Sequence, residues 1–317
     1  MRGALRQSRR SIAAGVAAGL VVALSLKPAD AQPQVDLEEL LTRYHASVEE
    51  YQQTFRNLVA EETKVIEVYR ASGEVEKRRQ ILSDLLVYHS FRTDATTEYR
   101  DVRSVDGKVI ENRGERALKL LTNASQADSL EKELQAITRE TFRYEFDRHL
   151  QGGTISQNGV PKQWRKLFHV TWVGRDEIAG HDVVVLDYRQ TAPIPGIARS
   201  LPVPKEFGKP VILSRGRLWL DAQTGQLWRS VWELVVPHPA IPEPLAMVRA
   251  ESTYTPSRFG ILVPERIVFD WFSHFSYPKK GRPSLSLSER TTFSYGSFRR
   301  FDVATDENVQ IPAARDR

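Results

Sequence analysis

Gly216–Ser230 reads GRLWLDAQTGQLWRS. Two short runs with strand character, Arg217–Asp221 and Gln226–Val236, flank Ala222–Gly225. Asp, Thr and Gly are residues that turn a chain on itself, so the stretch predicts a β-hairpin. The same rhythm continues on both sides. Downstream, Met247–Thr255 and Glu265–Tyr277 pair across Pro256–Pro264, and Leu285–Phe301 closes the series. Upstream, Leu167–Val173 and Asp182–Gln190 flank Glu177–Gly180. Between them lies a Pro-rich passage, Thr191–Gly216, with Pro193, Pro195, Pro202, Pro204 and Pro210. Proline donates no ladder hydrogen bond, so this passage is a long loop or a cover over an opening.

Further upstream the period changes. A helical insert over residues 114–149 begins with a short run, Glu115–Leu121. A second run follows with Leu130, Leu134, Ile137, Thr141 and Tyr144 at steps of three and four. Gly152–Pro161 is a polar loop. Residues 59–110 read as antiparallel strands, with Asp106-Gly107 as a two-residue hairpin turn. Before them, Leu37, Leu40, Leu41, Tyr44, Val48, Tyr51, Phe55 and Leu58 make one apolar stripe, which predicts a helix over 36–58. The elements sum to an α+β fold. A strongly twisted antiparallel β-meander is packed with an N-terminal helix and a helical insert, in one domain over 32–317.

The first 31 residues read as an export signal. Arg2, Arg6, Arg9 and Arg10 form a basic start, Ser11–Leu26 is an uncharged apolar run, and Ala29-Asp30-Ala31 offers a cleavage site. The run is shorter than the roughly 20 residues that a spanning helix needs, so a cut after Ala31 and a periplasmic or secreted protein are expected. The Ser8–Ile12 run also loosely resembles a twin-arginine signal. No later stretch suits a membrane span. The whole chain carries a net charge of +5, but residues 1–31 hold five cationic side chains and one anionic one. The rest is close to neutral and has no general electrostatic attraction to nucleic acid. With no cysteine in the chain, neither disulfides nor thiol catalysis is available.

No motif for a reaction is found. There is no G-x-S-x-G elbow, no H-E-x-x-H helix and no phosphate loop, and the seven histidines are scattered without ligand spacing. No catalytic residue, metal site or cofactor is expected. The carboxylates Asp187, Asp221, Glu233, Glu251, Glu265 and Asp270 fall in predicted strands. They could form a glycosidase pair, or they could line the wet face of a sheet.

The aromatic residues are more suggestive. Ile267, Phe269, Trp271, Phe275 and Tyr277 fall on one parity of a strand, broken at Ser273. In Gln226–Val236 both parities are apolar, as in a strand covered on both sides. Trp172, Trp219, Trp232, Phe269, Trp271 and Phe275 are therefore candidates for an apolar ligand site, with core packing as the alternative.

The helix, meander, insert and final strands together resemble the lipoprotein-localisation (LolA/LolB-like) superfamily. Locally the resemblance is carried by Glu98–Leu121 (EYRDVRSVDGKVIENRGERALKLL), Gly216–Ser230 and Thr291–Val303 (TTFSYGSFRRFDV), which look like segments of uncharacterised secreted bacterial proteins. It implies a half-barrel closed by helices around a cavity for acyl chains. The expected function is non-enzymatic binding of a lipid or another apolar ligand, with lipid or lipoprotein acyl chains as partners. The alternatives are an envelope scaffold that binds a protein partner and a secreted hydrolase.

Overall fold

A computed structural model describes residues 36–300, apart from 57, 91–94, 115–118, 120–129, 147–156, 158, 196–206, 208–210, 239–240 and 277–282. The export signal over 1–31, the short run Glu115–Leu121 and most of the Pro-rich passage lie outside these residues.

The chain opens with helix α1 (Leu37–Phe55) and strands β1 (Leu58–Tyr69), β2 (Val75–Ser90), β3 (Ala95–Val105) and β4 (Lys108–Val109). Helix α2 (Leu130–Thr141) and a 3-10 turn (Lys162–Leu167) follow. Then come β5 (Phe168–Ile178), β6 (His181–Gln190), β7 (Leu213–Asp221), β8 (Leu227–His238), β9 (Ile241–Pro256), β10 (Leu262–Ser276) and β11 (Ser284–Arg300). The strands form one open antiparallel sheet in the order β4-β3-β2-β1-β11-β10-β9-β8-β7-β6-β5. Two meanders, β1–β4 and β5–β11, are thus joined by a single pairing of β1 with β11. The predicted α+β meander with its two helices is what the chain forms. Several boundaries move: α1 ends at Phe55, because Leu58 already pairs with Arg300, β7 begins at Leu213, inside the Pro-rich passage, β5 runs on to Ile178, and β9 begins at Ile241.

Turn chemistry sets the meander. Asp106-Gly107 and Ala179-Gly180 both have two successive positive φ values (49° and 79°, 51° and 81°), the twist that joins adjacent strands through two residues. Asp221 builds the turn between β7 and β8 with its side chain, accepting from the backbone N–H of Gln223 (2.9 Å) and Thr224 (2.8 Å). Burial opposes the charge on Asp221, but these donors outweigh it and hold the carboxyl below its ordinary value.

That turn is also the seat of α1. Leu40, Leu41, Tyr44, Ser47, Tyr51 and Phe55 form the buried stripe of the helix. Ser47 donates to Gly225 O (3.1 Å) and Arg43 to Ala222 O (3.3 Å). Tyr51 meets Tyr254 edge-on, and Phe55 meets Phe298 in the same manner. α2 lies on the same side of the sheet, where the Thr141 hydroxyl donates to Glu98 O (3.1 Å). We call this side the inner face.

The outer face is ionic. Cross-strand partners Arg215, Glu233, Arg249, Asp270, Arg290, Glu67 and Arg78 run across seven strands with alternating charge. Opposite charges directly across a strand pair attract, and the row ties the two meanders together through Arg290 and Glu67.

Candidate functional site

The inner face has an aromatic floor. Phe269 and Phe293 are buried there with Leu234, Val236, Val248 and Ile267. Trp232, Trp271, Phe275, Leu285 and Tyr295 pack against them but are only half-buried. Register explains the gathering. Trp232 lies opposite Ala250, and Ala250 opposite Phe269; Trp271 lies opposite Val248, and Val248 opposite Leu234. The small Ala250 leaves room between two large rings. The parity break noted at Ser273 falls where β10 shifts register twice, between Trp271 and His274. The extra residues keep Phe275 in the cluster with Trp271. Phe207, from the Pro-rich passage, packs on the same floor. Its ring meets Phe275 (5.1 Å) and His238 (4.9 Å) edge-on.

Four of the six aromatic residues singled out in the sequence, Trp232, Phe269, Trp271 and Phe275, therefore come together. The other two do not join them. Trp219 lies directly opposite Arg229 on the outer face, where the guanidinium groups of Arg229 (4.7 Å) and Arg217 (5.9 Å) stack on its ring. Trp172 is on the edge strand β5 and is 51% exposed, and its neighbour Val173 is 46% exposed. A bulge after Trp172 interrupts the pairing with β6.

The doubly apolar pattern of β8 has a different cause from cover on two sides. A register shift opposite Leu227–Arg229 turns Leu227 towards α1, where it lines a small cavity with Ser47 and Tyr51. Leu227 and Trp232 thus serve the inner face from positions five residues apart.

Beside the aromatic floor, under the α2 side, lies a group of charges that no sequence pattern flagged. Glu62, Lys64, Arg100 and Glu98 are all at least nine-tenths buried. Arg100 donates through Nε (2.7 Å) and Nη2 (2.9 Å) to the two carboxylate oxygens of Glu62, and pairs with Glu98 at 2.9 Å. Lys64 donates to Glu145, just beyond α2, and its ammonium stands over the rings of Phe293 (4.9 Å) and Phe142 (5.6 Å). Burial opposes the charge on Glu62, yet the Arg100 guanidinium outweighs it and holds the carboxyl below its ordinary range. Burial also pulls the Lys64 ammonium below its usual value, against the pull of Glu145. Period-two alternation in β1 is visible in the sequence, but Glu62 and Lys64 occupy the parity that a wet face would own. Glu145 and Phe142, just beyond α2, pack on Lys64, and Arg100 closes over Glu62. Phe293 links this ionic patch to the aromatic floor.

The strand carboxylates offered for hydrolysis are distributed differently. Asp187 accepts from Arg217 (2.6 Å), Glu233 from Arg215 (2.7 Å), Glu251 from Arg229 (2.5 Å) and Asp270 from Arg290 (2.6 Å), all on the outer face. Asp221 is committed to its turn, and Glu265 is exposed. Among the described residues, no group of three or more His, Asp or Glu side chains has metal-binding geometry, and no helix is long and apolar enough to cross a membrane.

No family model matches the chain, and no curated protein matches it. Among solved structures it is similar to a DUF1329 family protein from Desulfovibrio piger ATCC 29098, with 10% identity over 84% of this chain and 95% of that one and a TM-score of 0.33. It is similar to a LolA superfamily protein from Nitrosomonas europaea, with 12% identity over 82% of this chain and 94% of that one and a TM-score of 0.27. A third likeness is to the MucA/MucB complex of Pseudomonas aeruginosa, with 12% identity over 84% of this chain and 99% of that one and a TM-score of 0.19. One of these structures bears the LolA superfamily name to which the sequence resemblance points. All three TM-scores are below 0.5, so the architecture of this chain rests on its own strand order and register.

Proposed function

We propose that this is an exported, non-enzymatic protein of the periplasm or of a secreted pool, which binds a lipid or other apolar ligand on the aromatic floor of its inner face. The observation that carries the reading is the state of Trp232, Trp271 and Phe275. All three border a buried apolar cluster, and all three keep part of their surface open. Covering such surface with an acyl chain gains about 0.8 kcal/mol per methylene. The ligand residues proposed are Trp232, Phe269, Trp271 and Phe275. The basic, apolar and A-x-A parts of residues 1–31 support export.

Native mass spectrometry of protein purified from its own envelope tests the reading. Co-purifying acyl lipid is expected; a bare polypeptide that also takes up no fluorescent fatty acid would overturn it. Trp271→Ala separates lining from core. A half-buried lining residue should cost less than about 2 kcal/mol in urea unfolding, while a core tryptophan costs about 3–5 kcal/mol. Fatty-acid uptake should fall about tenfold, the loss of roughly 1.4 kcal/mol of contact. Large destabilisation with unchanged uptake would remove Trp271 from the site.

A second reading is favoured by the β5 edge. Trp172 and Val173 are large apolar residues left exposed on an edge strand that, among the described strands, pairs only with β6. Natural proteins usually blunt such edges, so this one suits an envelope protein that adds a strand of its own. Crosslinking from position 172 in the periplasm distinguishes the two readings. One stoichiometric protein partner would favour the interaction module, and lipid adducts alone would count against it.

A further inference from the structure

The alternating row on the outer face breaks at one end. From Arg78 in β2 to Arg215 in β7 each cation faces an anion across the next strand. Beyond Arg215 the next partner is Arg189 in β6, another cation, and beyond that His169 in β5. Like charges directly opposite each other in a sheet repel. Elsewhere the row supplies its own counter-charge: Asp270 accepts from Arg290 at 2.6 Å, and Glu233 accepts from Arg215 at 2.7 Å. Arg215 also approaches Glu243 at 3.5 Å. Arg189 is exposed, and among the described residues no acidic side chain lies within ion-pair distance of it.

This break coincides with a groove of about 520 Å³ on the outer face of β5–β8. Arg189, Arg215, Arg217 and His169 line it, together with Asp187 and Glu233. Asp187 is occupied by Arg217, which donates to both of its oxygens (2.6 and 2.9 Å). Thr171 adds a hydroxyl at the rim. The groove thus offers the exposed Arg189 guanidinium, directly across from Arg215, whose Nε already donates to Glu233, at the end of the row where a cation faces a cation.

We infer that this groove is an oxyanion site, and that a phosphate group bound between Arg189 and Arg215 completes the charge alternation from outside the chain. Guanidinium forks match phosphate oxygens in pairs, and the groove has space for a body attached to the phosphate. The site lies on the face opposite the aromatic floor, so it stands apart from the apolar site proposed above.

Calorimetric titration of inorganic phosphate into the purified full chain, at ionic strength matched with sodium chloride, tests the assignment. Saturable binding is expected for the unaltered protein. Arg189→Gln should weaken it about tenfold, the loss of one charge-assisted hydrogen bond. Arg249→Gln, within the alternating part of the row, should leave it within about twofold. Arg189→Glu supplies the missing anion from the chain itself. That variant should melt higher than the unaltered protein in chloride and show no further response to phosphate. Flotation with phosphatidylcholine vesicles, with and without phosphatidylglycerol, separates the sources. Arg189-dependent binding to the anionic vesicles alone identifies a lipid headgroup, and binding of inorganic phosphate alone identifies a soluble phosphate compound. Binding unaffected by Arg189→Gln, or no response to either probe beyond that of chloride, overturns the proposal.

Discussion

Arg100→Met should lower the free energy of unfolding by about 3–5 kcal/mol, measured by urea denaturation at neutral pH. Arg100 is 3% exposed and holds Glu62 through two hydrogen bonds and Glu98 through an ion pair. Removing the guanidinium leaves two carboxylates in the interior with Lys64 as the nearest cation, and Lys64 already serves Glu145. Desolvation then goes uncompensated, and water must enter or the carboxylates must take up protons. The loss should shrink at lower pH, because a protonated Glu62 no longer needs a cation. The unaltered protein behaves in the opposite sense. The Glu62 carboxyl titrates below its ordinary value when folded, so its contribution is present above the unfolded value and fades as pH falls through the folded one. A loss below about 1 kcal/mol would mean that the site is open to solvent.

Gly225→Ala should destabilise by about 2–5 kcal/mol, the sum of about 1–2 for a left-handed backbone and about 1–3 for overpacking. Gly225 has φ of +73°. A β-carbon there would stand 2.6 Å from the backbone N of Tyr44 and 2.7 Å from the carbonyl carbon of Arg43. Backbone cannot swing aside as a side chain can, so the helix itself must lift. Limited proteolysis should show the effect as earlier cleavage within Leu37–Phe55, while the sheet stays protected. If the cut appears equally in all segments, α1 and the sheet unfold as one unit and the turn is not a separable seat.

These two positions show how unevenly the sequence discloses the structure. Gly225 sits in a stretch whose Asp, Thr and Gly mark a turn to any reader, yet its service as the seat of a helix nearly 180 residues earlier has no local signature. The meander, α1 and the apolar parity of β10 follow from periodicity. The gathering of Trp232, Phe269, Trp271 and Phe275 needed register, and the exclusion of Trp219 did too, because parity within one strand says nothing about which face its neighbours share. Arg100 and Glu62 were invisible for a related reason. Alternating charge reads as surface, and the contacts that bury this patch come from segments distant in sequence, such as Glu145 and Phe142 on Lys64. The row from Arg78 to Arg215 was spread over seven separate strands, and each member looked like ordinary solvated charge.

The single pairing of β1 with β11 sets the order of events when the chain folds. Leu58 meets Arg300, and Val68 meets Glu289, so the strands that join the two meanders are, among the described strands, the first and the last to be synthesised. Until β11 is available, β1 and the growing second meander each present an unpaired edge. Closing such a long loop is entropically costly and slow compared with the hairpins around it. α1 waits as well, since its seat at Gly225 arrives late. Refolding from urea should therefore show early sheet formation by circular dichroism, followed by a slower phase that protects the amides of β1 and β11 together. Simultaneous protection of all eleven strands would contradict this order. For a polypeptide delivered N-terminus first, that interval of open edges is when it is most exposed to aggregation, and when a holding chaperone would have the most to grip.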